Sequence, residues 1–442
     1  PTRRSSDLEE FRRGGDLLNR PPHEANVAEQ TEHSINGGGL KFDYFSPNEK
    51  HRFNVFASAQ HINRDSYYGG GQDPNAYGNT TDLNWMAGSQ YVYSFGKCIF
   101  MPADLTAGIE FNQDKLEDNM WGYHRTVDQK VNIGSAFFQN EWKNEHWGFL
   151  IGGRLDKHNL IDHVIFSPRA NLRYNPTENI NLRFSYSSGF RAPQAFDEDL
   201  HVENVGGNVA MVELADNLKE ERSQSLSASA DIYHRFGAFQ VNFLVEGFYT
   251  KLSDVFALTD GEVVDGILTR TRYNAPGARV MGLTLEGKMA YLTKFQVQAG
   301  VTLQQSHYSE PHVWNKEAPA VKKMMRTPNT YGYFTATYTP IKPLSIALSG
   351  TYTGSMLVPH EPVPGFLEKP ITVNTKDFFD IGLKAAYDFK LYKSMNLQVN
   401  AGVQNIFNAY QNDFDKGADR DSGYIYGPSL PRSFFAGVKI SY

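Results

Sequence analysis

The chain of 442 residues contains a single cysteine, Cys98, so it can form no internal disulfide and no cysteine-based metal site. It has no run of about 18 apolar residues, which excludes a transmembrane helix. No segment repeats its apolar residues at a helical period. Charge of one sign is not concentrated either. The 43 Lys and Arg against 49 Asp and Glu give a formal net charge of -6 spread along the chain, which argues against a nucleic-acid partner and against a polybasic membrane anchor. Catalytic signatures are missing as well: there is no G-x-S-x-G elbow, no glycine loop opening a helix and no paired-histidine motif. We therefore expect no enzyme, no cofactor and no resident metal.

What the chain does have is aromatic side chains, with 24 Tyr and 30 Phe, and alternation. In the last stretch, Phe434, Ala436, Val438, Ile440 and Tyr442 alternate with Ser433, Phe435, Gly437, Lys439 and Ser441. That period of two predicts a strand whose apolar face is uninterrupted to the terminal aromatic residue, and such a face is expected to meet lipid. About seventeen segments read as strands of membrane-spanning length. They are 35–45, 51–62, 83–95, 103–113, 129–142, 146–157, 164–175, 179–190, 221–236, 238–257, 269–292, 294–307, 329–339, 344–356, 377–391, 395–409 and 432–442. Alternation is clean in several. Leu226, Ala228, Ala230 and Ile232 oppose a face of Ser225, Ser227, Ser229 and Asp231.

The connections alternate too. Tight links at 235–238, 292–294, 339–344 and 392–395 are interleaved with long ones at 63–82, 114–128, 191–220, 305–328, 357–376 and 410–431. An up-and-down barrel with short periplasmic turns and longer extracellular loops predicts this rhythm, and a Greek-key sandwich does not. The expected fold is therefore an all-β, up-and-down antiparallel transmembrane β-barrel. With the short turns in the periplasm, the first and last of about seventeen strands both run toward it, so further strands are expected upstream. Residues 1–8 match one reading frame of a sequencing adapter and are expected to be an artefact. Residues 9–33 read as an extracellular loop and residues 34–442 as the carboxy-terminal part of the barrel.

Three motifs carry a family resemblance. Gly189-Phe190-Arg191-Ala192-Pro193 closes the eighth strand and resembles the G-[FY]-R-A-P segment of TonB-dependent outer-membrane receptors. Asn405-Ile406-Phe407-Asn408, and Gly427-Pro428 with Pro431-Arg432, are similar to segments of the same family. The strand ending in Phe434, Val438, Ile440 and Tyr442 resembles the insertion signal read by barrel-assembly machinery. The resemblance implies a full barrel of about 22 strands around an amino-terminal plug, with about 17 of them in this chain. It also implies the outer membrane of a Gram-negative bacterium, contact with outer-membrane lipid, and a TonB energy-coupling complex acting through the missing amino-terminal part. The implied cargo is a scarce nutrient chelate, first of all a ferric siderophore. Cobalamin is the alternative cargo, and a passive porin or a structural or adhesive barrel is the alternative from another class.

Ligand-binding candidates follow from residue type on the outward loops. Tyr67 and Tyr68 precede a Gly run, Trp121, Tyr123, His124 and Arg125 crowd the next long connection, and Tyr308 and Trp314 sit in another. Rings, Arg and His suit an aromatic, anionic chelate through stacking and charge, although an aromatic girdle at the membrane interface accounts for the rings equally well. Arg191 reads as a strand-end cation pairing with carboxylates. The acidic loop from Asp413 to Gly423 has Tyr424 where a calcium loop needs a bidentate Glu, so solvated loop charge is expected there.

Overall fold

The computed structural model describes residues 20–25, 27–200, 203–205, 208–259, 261–264, 267–392, 394–417, 420–421, 423–428 and 430–442. The reading of residues 1–8 falls outside them. Among the described residues the dominant element is an 18-stranded sheet, one member of which is the three-residue Val321–Lys323. The remaining long strands are β1 (Val27–Phe45), β2 (His51–Gly70), β3 (Tyr77–Cys98), β4 (Met101–Met120), β5 (Arg125–Lys143), β6 (Trp147–His158), β7 (Ile165–Thr177), β8 (Ile180–Arg191), β9 (Glu221–Phe236), β10 (Phe239–Ser253), β11 (Ala278–Tyr291), β12 (Phe295–His312), β13 (Thr330–Ile341), β14 (Leu344–Thr353), β15 (Phe378–Tyr392), β16 (Met395–Gln404) and β17 (Ser433–Ser441). Each pairs antiparallel with its sequence neighbour, as an up-and-down barrel wall requires. β1 and β17 both run toward the end of the sheet that carries the short turns.

Alternation sets the two faces. Phe434, Val438 and Ile440 are 79%, 67% and 67% exposed on the outward face, and their cross-strand partners Val403, Val399 and Leu397 are apolar too. The other face holds polar pairs such as Ser225 with Thr250 and Thr284 with Thr302, whose hydroxyls hydrogen-bond at 2.9 and 3.0 Å. Aromatic residues on this inner face sit directly opposite glycine: Phe56 across from Gly88, Phe137 from Gly108, Phe248 from Gly282, Tyr333 from Gly300 and Phe435 from Gly402. Each ring lies where a Cβ on that glycine would otherwise stand.

The structure corrects several sequence boundaries. β1 begins at Val27, so residues 27–33 are strand rather than loop. The connections expected at 63–82 and 114–128 are mostly strand, because β2 continues to Gly70, β3 starts at Tyr77, β4 runs to Met120 and β5 starts at Arg125. Above the lipid band a strand no longer needs an apolar outer face, so its pattern fades while its ladder continues. Two expected strands also divide. The segment 238–257 breaks at Asp254, which adopts φ 54, and 269–292 breaks at 276–277, where a Cβ on Gly277 would collide with the Leu252 carbonyl. The pieces beyond these breaks, Val255–Leu258 and Ile267–Ala275, join Glu262–Val264, Asn208–Leu214 and Glu203–Val205 in a second sheet at the long-loop end.

Candidate functional site

The inner face of the extended β2–β5 wall carries charges that the long-loop end then buries. Arg64 of β2, Thr80 of β3, Asp118 of β4 and Arg125 of β5 stand on neighbouring strands and on the same face. Thr80 Oγ1 donates to Asp118 Oδ1 at 2.5 Å, Arg64 Nε donates to Thr80 Oγ1 at 3.1 Å, and Arg125 Nη1 donates to Asp118 Oδ2 at 3.2 Å. Asp118 is 0% and Arg64 4% exposed, so neither charge is free to take water as a partner. Charges buried this far need companions.

The companions come from the connection that follows the Gly189–Pro193 motif. Pro193 has no N–H to extend the ladder, and the chain leaves β8 and turns into a short 3-10 helix at Asp197–Asp199. Arg64 Nη1 donates to Asp197 Oδ1 at 2.6 Å, and Arg125 Nη2 donates to the Asp199 carbonyl at 2.6 Å. Asp199 Oδ2 accepts from the Phe196 N–H at 2.7 Å and from Arg272 Nη1 at 2.8 Å. Burial lifts the Asp199 carboxyl above the usual carboxylate range despite these donors, and burial lowers the Arg125 guanidinium. Glu198 bridges Arg191 at 2.7 Å and Arg272 at 3.0 Å. Four arginines and four carboxylates are thus interleaved across β2, β4, β5, β8, the Asp197–Asp199 turn and the second sheet.

Two rings complete the cluster. The Arg191 guanidinium lies 3.9 Å from the Phe196 ring centroid and 5.5 Å from that of Phe256, while Arg272 lies 5.5 and 5.9 Å from the same two rings. These are cation–π distances. Below the turn is a cavity of about 250 Å³ lined by His33, Arg64, Asp82, Asp114, Gln129 and Phe196, among others. Arg191 therefore pairs with Glu198, as expected of it, and is in addition stacked. Arg64, Asp118, Phe256 and Arg272 were not singled out in the sequence. The available signal was the charge alternating with Ser66 and Thr80 past the end of the apolar pattern.

The other motif residues hold loops. Ala192 is buried with Ile161 and Ile165 against the partly buried Phe190, and Gly189 faces Ser223 across the ladder. Asn405, 3% exposed and at φ 49, closes the base of the connection to β17. Its Nδ2 donates to the carbonyls of Ala409 and Leu430, both at 2.9 Å, and its Oδ1 accepts from the Ala409 N–H at 2.7 Å. The Arg432 N–H donates to Asn408 Oδ1 at 2.9 Å, just after Pro431, so the second and third motifs touch. Phe407 is exposed. Tyr442 is fully exposed at the end of β17.

The ligand-loop candidates are scattered. Tyr67 and Tyr68 lie on β2 and are both 1% exposed, Tyr67 packed with Ala25, Ala28 and Ala76 and Tyr68 with Met120. Tyr123 donates its hydroxyl to the Tyr68 carbonyl at 2.9 Å, and His124 turns the chain at φ 51. Trp121, beside them, is exposed. Tyr308 packs on His312 with ring centroids 4.9 Å apart, and Trp314 is buried. Arg125 is the one candidate drawn into the ion cluster.

A second tie joins four long connections. His360 stacks on Tyr424 at 3.8 Å and its Nε2 lies 2.8 Å from Asp415 Oδ2. Asp421 accepts from the N–H groups of Glu361 and Gly423 at 2.8 Å, and Glu361 accepts from Arg270 at 3.1 Å and from Asn315 at 2.9 Å. Burial raises both the Glu361 and the Asp421 carboxyl. In the acidic loop, Asp415 and Asp421 are thus spent on packing loops together, and Asp419 lies outside the described residues. His158 and His163 point apart, to Gln194 at 3.3 Å and to Glu220 at 2.9 Å.

Known structures share this architecture. The siderophore receptor PirA of Acinetobacter baumannii superposes with TM-score 0.69 at 15% identity over 92% of this chain and 62% of its own. The ferric-catecholate import receptor Fiu of K12 E. coli gives 0.68 at 13% over 93% and 64%, and the copper transporter OprC gives 0.65 at 12% over 92% and 66%. The chain therefore spans less than two thirds of these receptors, and at such identities the likeness establishes the fold and leaves the cargo open. No curated protein sequence matches. The family model described as TonB dependent receptor-like, beta-barrel matches residues 4–406. The chain belongs to the TonB-dependent receptor β-barrel family.

Proposed function

We propose that the chain is the barrel of an outer-membrane receptor that captures a scarce nutrient chelate, a ferric siderophore first of all, and passes it inward with energy from a TonB complex. The observation that carries the cargo class is the cluster at the long-loop end. Arg191, partly exposed and paired with Glu198, lies against the rings of Phe196 and Phe256, which offers a guanidinium and flat apolar surface together, while Arg272 is buried against Asp199. A planar, anionic chelate is complementary to such a surface. Nutrient receptors named for siderophores among the similar structures support the same class. Insertion by barrel-assembly machinery through the β17 terminus belongs to this reading, and so does a plug supplied by the whole receptor.

The test is binding of ferric catecholate, hydroxamate and carboxylate chelates to the purified protein, followed by quenching of tryptophan fluorescence. Saturable binding of one ferric class, weakened about tenfold in Arg191→Gln, is expected from the loss of its charge and of its stacking on Phe196 and Phe256. Binding of cobalamin in place of every ferric chelate would reassign the cargo. Ion conduction with no saturable ligand by the whole receptor, upstream strands and plug included, would reassign the barrel to a passive pore.

A further inference from the structure

The outward face of the sheet carries a row of basic side chains at the long-loop end. Lys251 on β10 is directly opposite Arg279 on β11, Arg279 is opposite His307 on β12, and His307 is opposite Lys323 of the short strand Val321–Lys323. Directly paired residues share a face, so four basic side chains stand side by side across a row about 14 Å long. Their face is the outer one, because two residues further along the same strands lie the exposed Tyr249 and Met281, followed by Phe243, Leu283, Leu303 and Val301. The row therefore sits one step above the apolar belt.

Like charges placed directly opposite one another repel, and among the described residues nothing offsets them. Among the described residues none of the four makes an ion pair or a side-chain hydrogen bond. Arg222, on the neighbouring strand β9, is by contrast balanced by Glu220 at 2.8 Å. Lys251 and Arg279 are exposed. The row is thus open to an anion from outside the described residues. Anything that reaches these side chains stands on the apolar belt and so shares the lipid layer, which favours a lipid headgroup over an acidic protein.

We propose that Lys251, Arg279, His307 and Lys323 form a docking row for phosphate-bearing lipid headgroups of the outer leaflet. Arg279 is central, flanked by Lys251 and His307, and its planar guanidinium suits two phosphate oxygens at once. This inference rests on the outer-membrane reading above. It separates one sector of the barrel, β10 to β12, from the opposite wall, where Lys115 is already neutralised by Glu117 at 2.5 Å.

The test is retention of lipid by the full chain extracted in mild detergent from the outer membranes of a Gram-negative host, with bound phospholipid and phosphorylated glycolipid counted per barrel by native mass spectrometry. The protein is expected to retain phosphate-bearing lipid. Lys251→Gln/Arg279→Gln/His307→Gln/Lys323→Gln is expected to lose it about tenfold or more, as removal of several surface cations predicts. Lys115→Gln is expected to keep it, because Glu117 already balances that charge. Arg279→Gln alone, expected to lose about half a decade, serves if the quadruple variant does not reach the membrane. Equal retention by the variant and the parent would overturn the inference and leave the receptor reading standing. Co-purification of an acidic protein on this face in place of lipid would overturn it too. Absence of the whole receptor, upstream strands included, from the outer-membrane fraction would overturn both readings.

Discussion

Replacing Asn405 by alanine tests whether the second family motif is a loop anchor. The side chain makes three hydrogen bonds in a nearly fully buried position, two to carbonyls at Ala409 and Leu430 and one from the Ala409 N–H. At about 1 kcal/mol for each net hydrogen bond, truncation costs roughly 3 kcal/mol. A further few tenths to 1 kcal/mol comes from holding alanine at a positive φ, which asparagine tolerates better. A total of about 3 to 4 kcal/mol multiplies the local opening equilibrium by a factor on the order of 10² to 10³. The barrel wall does not share this loss, because β16 and β17 keep their own ladder from Gln404–Ser433 down to Asn396–Ser441. The assay is hydrogen exchange at the Ala409 amide in detergent, with the gel-mobility difference between unheated and boiled samples as the check on the barrel. Exchange accelerated about a hundredfold, with unchanged gel behaviour, is the expected result. Unchanged exchange at Ala409 would refute the anchor, and loss of the folded gel band would show that the motif supports the wall itself.

Further outcomes are expected elsewhere. Asp199→Asn leaves Arg272 facing a neutral amide in a site where both partners are almost fully buried, and at the about 3 to 5 kcal/mol typical of a broken buried pair the connection 191–220 should become sensitive to limited proteolysis, which unchanged digestion would contradict. Burial raises the folded-state carboxyls of Glu361 and Asp421, so the native state holds protons that the unfolded chain has released. The tie among the long connections should accordingly gain stability as pH falls through those raised values and gain no more below the ordinary carboxylate range. Exchange protection at the Glu361 and Gly423 amides, corrected for intrinsic rate, should be at least as strong at pH 5 as at pH 7, and weaker protection would reverse the sign. Exchanging only the tips 71–76 and 121–124 with those of another receptor should alter ligand preference and leave assembly intact, whereas exchanging 63–82 and 114–128 should damage assembly because it removes Arg64, Thr80 and Asp118. Deleting Tyr442 should lower the amount of barrel in the membrane, and normal levels on a membrane blot would dismiss the terminal signal.

The wall was legible because lipid imposes a rule on every second residue. Where the outer face meets hydrocarbon, as at Phe434, Val438 and Ile440, alternation marks the strand within a few residues. Past the belt the rule lapses. Residues 63–70 and 114–120 kept their ladder but traded apolar neighbours for Arg64, Asp65 and Asp118, and the expected loops proved to be strand. The ion cluster was hidden for a different reason. Asp197 lies more than a hundred residues from Arg64, and Arg272 more than seventy from Asp199, so only the fold brings each pair within 3 Å. Burial of Tyr67 and Tyr68 was likewise invisible, since a tyrosine beside glycines looks the same whether it faces a ligand or Ala28 and Ala76.

The glycines opposite Phe56, Phe137, Phe248, Tyr333 and Phe435 bear on how much open bore the barrel keeps. A ring that found a side chain across from it would have to stand up into the lumen. With only a hydrogen there, the ring lies down along the wall and takes up thickness instead of radius. Five such panels line the inside with aromatic surface at little cost in diameter. A mutation of one of these glycines to a larger residue would leave the outer surface unchanged and narrow the passage from within.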